Sequence, residues 1–210
     1  MSQTRNTILT RLRAGDWSQN NEIKDRISAH ARGPLPALKK ETLVQFISKM
    51  TANSASVDSV NSDVAIVDSI KGFLNQHELP LSLCVVAHPA LNDLPWSPDM
   101  TAEQRKVSHT DLTTLSVASA ALAETGSVVM LSGNETPTEA NFLPDNFICI
   151  VNKADIINYM EELWDRLRQQ GDTLPGVVNI ISGPSRTADV EQTIQLGAHG
   201  PRRMHVIIKE

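Results

Sequence analysis

An alternation running from residue 56 to residue 208 constrains this fold most. Short runs of strand-forming residues are separated by polar turns and by stretches with helical spacing. The runs are Ser56–Val60, Leu81–Ala87, Val128–Leu131, Asn146–Val151, Val177–Ile181 and Met204–Ile208. Asp63–Gln76 and Ala154–Gln169 instead repeat apolar residues every three or four positions, the period of a helix with one buried face. Ser62 stands where it can cap the first of these helices. Strands alternating with helices predict an α/β sheet with helices on both faces. A length of 210 residues suits one domain with a substantial core.

The first fifty residues read differently. Thr4–Ala14 has Ile8, Leu9 and Leu12 on one helical face, and Leu38–Met50 has Leu43, Phe46, Ile47 and Met50 on another. The polar segment between them carries Gly15, Gly33, Pro34 and Pro36 and reads as loop. Residues 1–50 are therefore expected to form an N-terminal helical appendage, and residues 51–210 the α/β domain. Within that domain, 92–101 and 133–142 read as loops. Ser116–Ala123 is ambiguous: its alanines favour helix, and a small-residue strand packed closely under a neighbour fits equally well. The turn Glu124-Thr125-Gly126-Ser127 directly after it favours strand, turn, strand.

Charge and motif content exclude several classes. The net charge of −5 argues against nucleic acid as a partner. No apolar stretch approaches the roughly 20 residues of a membrane span. Met1-Ser2-Gln3-Thr4-Arg5 lacks a hydrophobic signal region, so the expected compartment is the cytoplasm. The two cysteines, Cys84 and Cys149, lie inside apolar runs and are expected to be buried strand residues. They cannot hold a four-cysteine iron–sulfur cluster, and no Cys-x-x-Cys is present. The six histidines show no His-x-x-x-His spacing, so no metal site is expected. No Gly-x-Gly-x-x-Gly, P-loop or Gly-x-Ser-x-Gly pattern occurs.

The residues suited to chemistry cluster late in the chain. Ser182-Gly183-Pro184-Ser185-Arg186-Thr187 comes after the run Val177–Ile181, and Gly197-Ala198-His199-Gly200-Pro201 precedes the last run. This predicts strand, polar turn, short helix, glycine-rich turn, strand. A polar turn entering a helix is a place for an anion, because the first helical N–H groups lack internal partners. Ser182, Ser185 and Thr187 offer hydroxyls there, and Arg186 offers a planar fork for carboxylate or phosphate. Asp189 and Glu191 would fall in the first helical turn, where negative charge is favourable. His199 is flanked by Ala198 and Gly200 and suits either a ligand contact or a turn hydrogen bond. Glu124, between small residues and a glycine, could project into a cleft as base or nucleophile, or could simply tie down its own turn. Turns at Glu124, Ser182 and Gly197 are expected to converge at the carboxyl ends of the strands.

Together these segments resemble the lactate-utilisation protein C family (LutC/YkgG-like), the LUD domain. The resemblance rests on Ala123-Glu124-Thr125-Gly126-Ser127, the Leu143-Pro144 step, Ile181-Ser182-Gly183-Pro184-Ser185-Arg186-Thr187-Ala188-Asp189-Val190-Glu191 and Gly197-Ala198-His199-Gly200-Pro201. It spans roughly residues 55–210. It implies a three-layer α/β/α sandwich related to the sugar-phosphate isomerase and CoA-transferase fold. It also implies a part in oxidation of L-lactate to pyruvate beside iron–sulfur partner subunits, with no cofactor of the chain's own. By the same resemblance Glu124, with Thr125, Gly126 and Ser127, would share a cleft with Ser182, Gly183, Ser185, Arg186, Thr187, His199 and Gly200. The chain departs from the pattern before the Ile148 strand, where Asn141 or Asn146 stands in place of an expected basic or histidine residue. Two roles are open on this reading. One is a non-redox subunit of a lactate-oxidising complex that binds a small anionic metabolite. The other is a stand-alone enzyme or binding protein for a phosphorylated or CoA-activated metabolite, using Glu124 and the anion turn.

Overall fold

The structure is a computed structural model that describes residues 34–169, 175–187, 195–197 and 199–210, together with Thr7 and Thr10. The rest of the expected helix over 4–14 and most of the loop after it lie outside the described residues, as do Asp189 and Glu191. Contacts divide the chain into one unit of Met1–Ala37 and another of Leu38–Glu210.

In chain order the elements of the second unit are α1 (Thr42–Ala52), β1 (Ser56–Val60), α2 (Asp63–Gln76), β2 (Ser82–Val85), β3 (Thr101–Gln104), β4 (Thr113–Val117), β5 (Ala120–Leu122), β6 (Ser127–Leu131), α3 (Glu139–Phe142), β7 (Asn146–Asn152), β8 (Ile156–Ile157), α4 (Met160–Gln169), β9 (Val178–Ile181), β10 (Arg186–Thr187), β11 (Gln195–Leu196) and β12 (Arg203–Lys209). Six strands form a parallel sheet in the order β1-β12-β7-β4-β2-β3. Its central strands β7 and β12 are buried almost end to end, as strands covered on both faces must be. A smaller mixed sheet runs β8-β5-β6-β9.

The alternation of side chains along β7 and β12 sorts the core into layers. Ile148, Ile150 and Ile207 meet Ile66, Ile70, Phe73 and Leu74 of α2. Ser62 caps this helix as expected, its hydroxyl accepting from Ala65 N–H at 3.2 Å. Phe147, Cys149, Val206 and Ile208 point the other way, onto Phe46 and Met50 of α1 and onto Ala121, Val128 and Met130 of the small sheet. The outer face of that small sheet packs Leu122, Val129 and Ile157 against Leu163 and Leu167 of α4. The result is a three-layer α/β/α arrangement whose third layer contains the small sheet. Phe46 and Met50 are fully buried, and each such side chain contributes about 1.5–3 kcal/mol. The helix expected in the appendage thus packs in the core of Leu38–Glu210.

Three local expectations change. The segment around Ser116–Ala123 is two strands in different sheets: β4 lies in the large sheet and β5 in the small one. The crossing falls at Ala118-Ser119, whose N–H groups donate to Ile150 O at 2.8 Å and Val129 O at 2.9 Å. Ile156 and Ile157, expected in a helix, form β8 beside β5, in line with the strand preference of β-branched pairs. The loop over 133–142 ends in the short helix α3. No helix among the described residues is long and apolar enough to cross a membrane.

Candidate functional site

The turn at residues 123–126 is shaped by α1. Gly126 N–H donates to Leu122 O at 2.9 Å, and Gly126 has φ +65°. A Cβ there would lie 2.5 Å from Lys49 Cβ and 2.6 Å from Met50 N, so only glycine fits under the helix. Gly183 repeats the arrangement at the end of α1: its φ is +103°, and a Cβ would lie 2.5 Å from Asn53 O. Between these glycines runs a chain of hydroxyls. Thr125 Oγ1 lies 2.6 Å from Ser127 Oγ, which lies 2.6 Å from Ser182 Oγ. Asn53 Nδ2 donates to Thr125 O at 3.1 Å and ties the helix end to the glutamate turn. Ser127 is wholly buried, and Glu124 is half-buried.

The two late motifs bind each other. Ser185 N–H donates to Pro201 O at 2.8 Å, and Ser185 O accepts from Gly197 N–H at 3.1 Å. Its hydroxyl accepts from His199 N–H at 3.4 Å. Arg186 and Thr187 then continue as β10, antiparallel to β11. The short helix expected to follow the turn, with Asp189 and Glu191 in its first turn, is not among the described residues. Residues 188–194 lie outside the described residues.

A cavity of about 560 Å³ lies beside this knot. Arg186, Arg202, Arg203 and His77 are among the residues that line it. Ala55, Phe73, Pro184 and Met204 supply apolar wall. Ser54 and Thr51, at the end of α1, complete the rim. Ser56 and Arg203 are the first residues of β1 and β12, so the cavity sits at the amino ends of parallel strands. The turns at Glu124 and Ser182 follow the carboxyl ends of β5 and β9 in the small mixed sheet and are joined through Ser127, and Gly197 is bonded to Ser185, while the cavity lies at the opposite ends of large-sheet strands. Glu124 is not among the residues lining this cavity. Its N–H donates to Asn158 O at 3.0 Å on the far side of the turn. The sequence-predicted residues thus divide: Arg186, with Gly183 and Ser185 beside it, serves the cavity, while Glu124, Thr125, Gly126 and Ser127 form a turn under α1, joined to it through Ser182.

The electrostatics favour an anion in the cavity. Arg202 pairs with Asp145 at 3.6 Å. Arg203 Nη1 donates to Asn146 Oδ1 at 3.2 Å, and Asn146 Nδ2 donates to Leu112 O at 2.8 Å. The guanidinium of Arg203 is therefore oriented by a neutral amide and keeps its charge. Asn146 is one of the two asparagines at the departure from the family pattern. Burial, aided by Arg203, holds His77 below its ordinary 6.5, so it is neutral at pH 7. Behind it lies Phe73, in edge contact with His77 at 4.8 Å and stacked on His205 at 5.0 Å. His205 is buried between Ser56 Oγ at 2.8 Å and Ser69 Oγ at 2.9 Å, and burial lowers its pKa to about 4.

Sequence reasoning missed Arg202, Arg203, His77 and Ser54. The basic pair directly before the last apolar run was a visible signal; His77, at the end of an amphipathic helix, gave none. A second cleft of about 360 Å³, lined by His88, Ser119 and Glu135, does sit at the carboxyl ends of β2 and β4. Among the described residues, no cluster of three or more histidine, cysteine, aspartate or glutamate side chains could hold a metal ion.

Comparison with known proteins agrees with this architecture. The family model of the LUD domain matches residues 85–208. The chain is 39% identical over 92 residues to Lactate utilization protein C of Halalkalibacterium halodurans, covering 42% of this chain and 40% of that protein. It is 33% identical over 116 residues to Lactate utilization protein C of Bacillus subtilis, covering 54% and 48%. It is 32% identical over 123 residues to the Uncharacterized protein YkgG of Escherichia coli, covering 57% and 53%. The chain thus spans about half the length of the curated relatives it matches. A crystal structure of a DUF162 family protein from Deinococcus radiodurans superposes with a TM-score of 0.60 at 19% identity, covering 83% of this chain and all of that one, and so shares the fold. With more than half of its length inside the family match, this chain belongs to the LUD domain family.

Proposed function

We propose that this protein works in lactate utilisation as the subunit that binds an anionic metabolite and carries no electrons. The observation that carries the reading is its similarity, through the family domain, to proteins named Lactate utilization protein C. Oxidation of L-lactate to pyruvate releases two electrons, and a carrier for them needs cluster ligands or a bound redox cofactor. The two thiols of this chain are buried, Cys84 in β2 and Cys149 in β7, and burial pushes both above their ordinary range, away from the thiolate a cluster requires. Iron–sulfur partner subunits then hold the electron path. This chain contributes the arginine cavity, and Glu124 stands in a separate turn joined to Ser182 through Thr125 and Ser127.

A specific observation favours a second reading. The cavity's cationic rim and apolar wall also suit a stand-alone enzyme or binding protein for a phosphorylated or CoA-activated metabolite. Affinity purification of the tagged chain from its own cells grown on L-lactate separates the two. The complex reading predicts that iron-containing proteins co-purify, while the chain isolated from them contains no stoichiometric iron. Purification of the chain alone, under conditions where the cells consume lactate, would favour the second reading.

A further inference from the structure

We propose that the cavity at the amino ends of β1 and β12 is a binding site for an organic phosphate, whose phosphoryl group meets Arg186, Arg203 and the Ser54 hydroxyl while its apolar body lies against Phe73 and Met204. This rests on the second reading above, a phosphorylated metabolite in the cavity, and it adds which residues hold the phosphoryl group and which the apolar body. Three features carry it.

The first is charge. Three guanidiniums line the cavity, and among the described residues the carboxylate set against them is Asp145, 3.6 Å from Arg202. Arg203 is held by the Asn146 amide instead of a carboxylate. The remaining positive charge matches a phosphate monoester, which carries about −1.5 to −2 at pH 7. Lactate carries one negative charge.

The second is size and polarity. A space of about 560 Å³ walled by buried Phe73, Met204 and Ala55 is made for an apolar body. L-lactate offers only one methyl group.

The third is Ser54. It lies just past the end of α1 with φ +69°, a conformation that favours glycine. Its N–H donates to Thr51 O at 2.9 Å, as at a normal helix terminus where glycine is the usual residue. A serine there costs stability and places a hydroxyl on the cavity rim.

Titration calorimetry on the purified full chain tests this with AMP and phenyl phosphate against inorganic phosphate and L-lactate. At least one organic phosphate should bind about tenfold or more tightly than inorganic phosphate and than L-lactate. Arg186→Ala, at an exposed position, should weaken that binding at least about tenfold, the range of a lost charge-assisted hydrogen bond. Ser54→Gly should raise the melting temperature and still weaken binding, a pairing that a merely structural role for Ser54 would not give. If neither organic phosphate exceeds inorganic phosphate, or L-lactate binds as tightly, the ligand class is wrong although the anion site stands. If anions bind with affinity unchanged by Arg186→Ala, the site itself is wrong. Unchanged affinity in Ser54→Gly removes the hydroxyl from it.

Discussion

His205 links the stability of this protein to pH. The buried ring is bonded to Ser56 and Ser69 and stacked on Phe73, and the folded state holds its pKa near 4 against an ordinary 6.5. The fold therefore prefers the neutral imidazole. That contribution is complete above pH 6.5 and is lost as pH falls from 6.5 toward 4, by about 3 kcal/mol over the whole window. Asp99 and Asp111, held down by hydrogen bonds from Lys71 and Arg105, lose their contributions only below the usual carboxylate range. Urea unfolding at pH 7 and pH 4.5 should show the wild type losing most of this amount, with His205→Gln markedly flatter between the same two values. An equal slope in both proteins would assign the loss to other groups. Glu124 calls for a different variant. As a group acting on a ligand, Glu124→Gln should leave the melting temperature nearly unchanged, because the amide is close to isosteric. Lactate-dependent activity should fall at least about 10²-fold. A lowered melting temperature with activity per folded molecule retained would reduce Glu124 to a part of its turn.

At the scale of elements, the turns under α1 are the critical joints. Gly126→Ala places a Cβ 2.5 Å from Lys49 Cβ at φ +65°, so it combines backbone strain with displacement of the helix. The expected loss is about 2 kcal/mol or more from strain and overpacking together, measured by denaturant titration. A loss within about 0.5 kcal/mol, the usual range of a surface change, would show that α1 is not held closely on the turn. These joints also mark where the sequence was legible and where it was not. Strands β7 and β12 were readable because burial on both faces makes them continuously apolar. Helix α2 was readable from its period and its Ser62 cap. The edge strand β3 was not, because Thr101–Gln104 is mostly exposed and carries no apolar alternation. Ile156 and Ile157 fit a helical period and a strand equally, and pairing with β5 decides between them. The bonds from Ser185 to Pro201 and Gly197 were not legible, because they join residues more than ten positions apart.

For the molecule as a whole, the sequence motifs identified the family, and the LUD domain match bears that out over residues 85–208. They did not identify how the functional residues group in space. Arg186 was visible as a candidate anion ligand by its type, whereas Arg202, Arg203 and His77, which line the same cavity, are brought there by the pairing of β12 with β1 and by the end of α2. Glu124 stands in a conspicuous turn for a packing reason, the approach of α1, and that reason is not written in its own neighbours. The central claim, work in lactate utilisation, concerns the cell rather than the fold. Growth rate on L-lactate as sole carbon source, compared with growth on pyruvate, tests it most directly in a strain lacking this protein. A severe defect on L-lactate, normal growth on pyruvate, and rescue by the wild-type chain are predicted. Undiminished growth on L-lactate would contradict the claim.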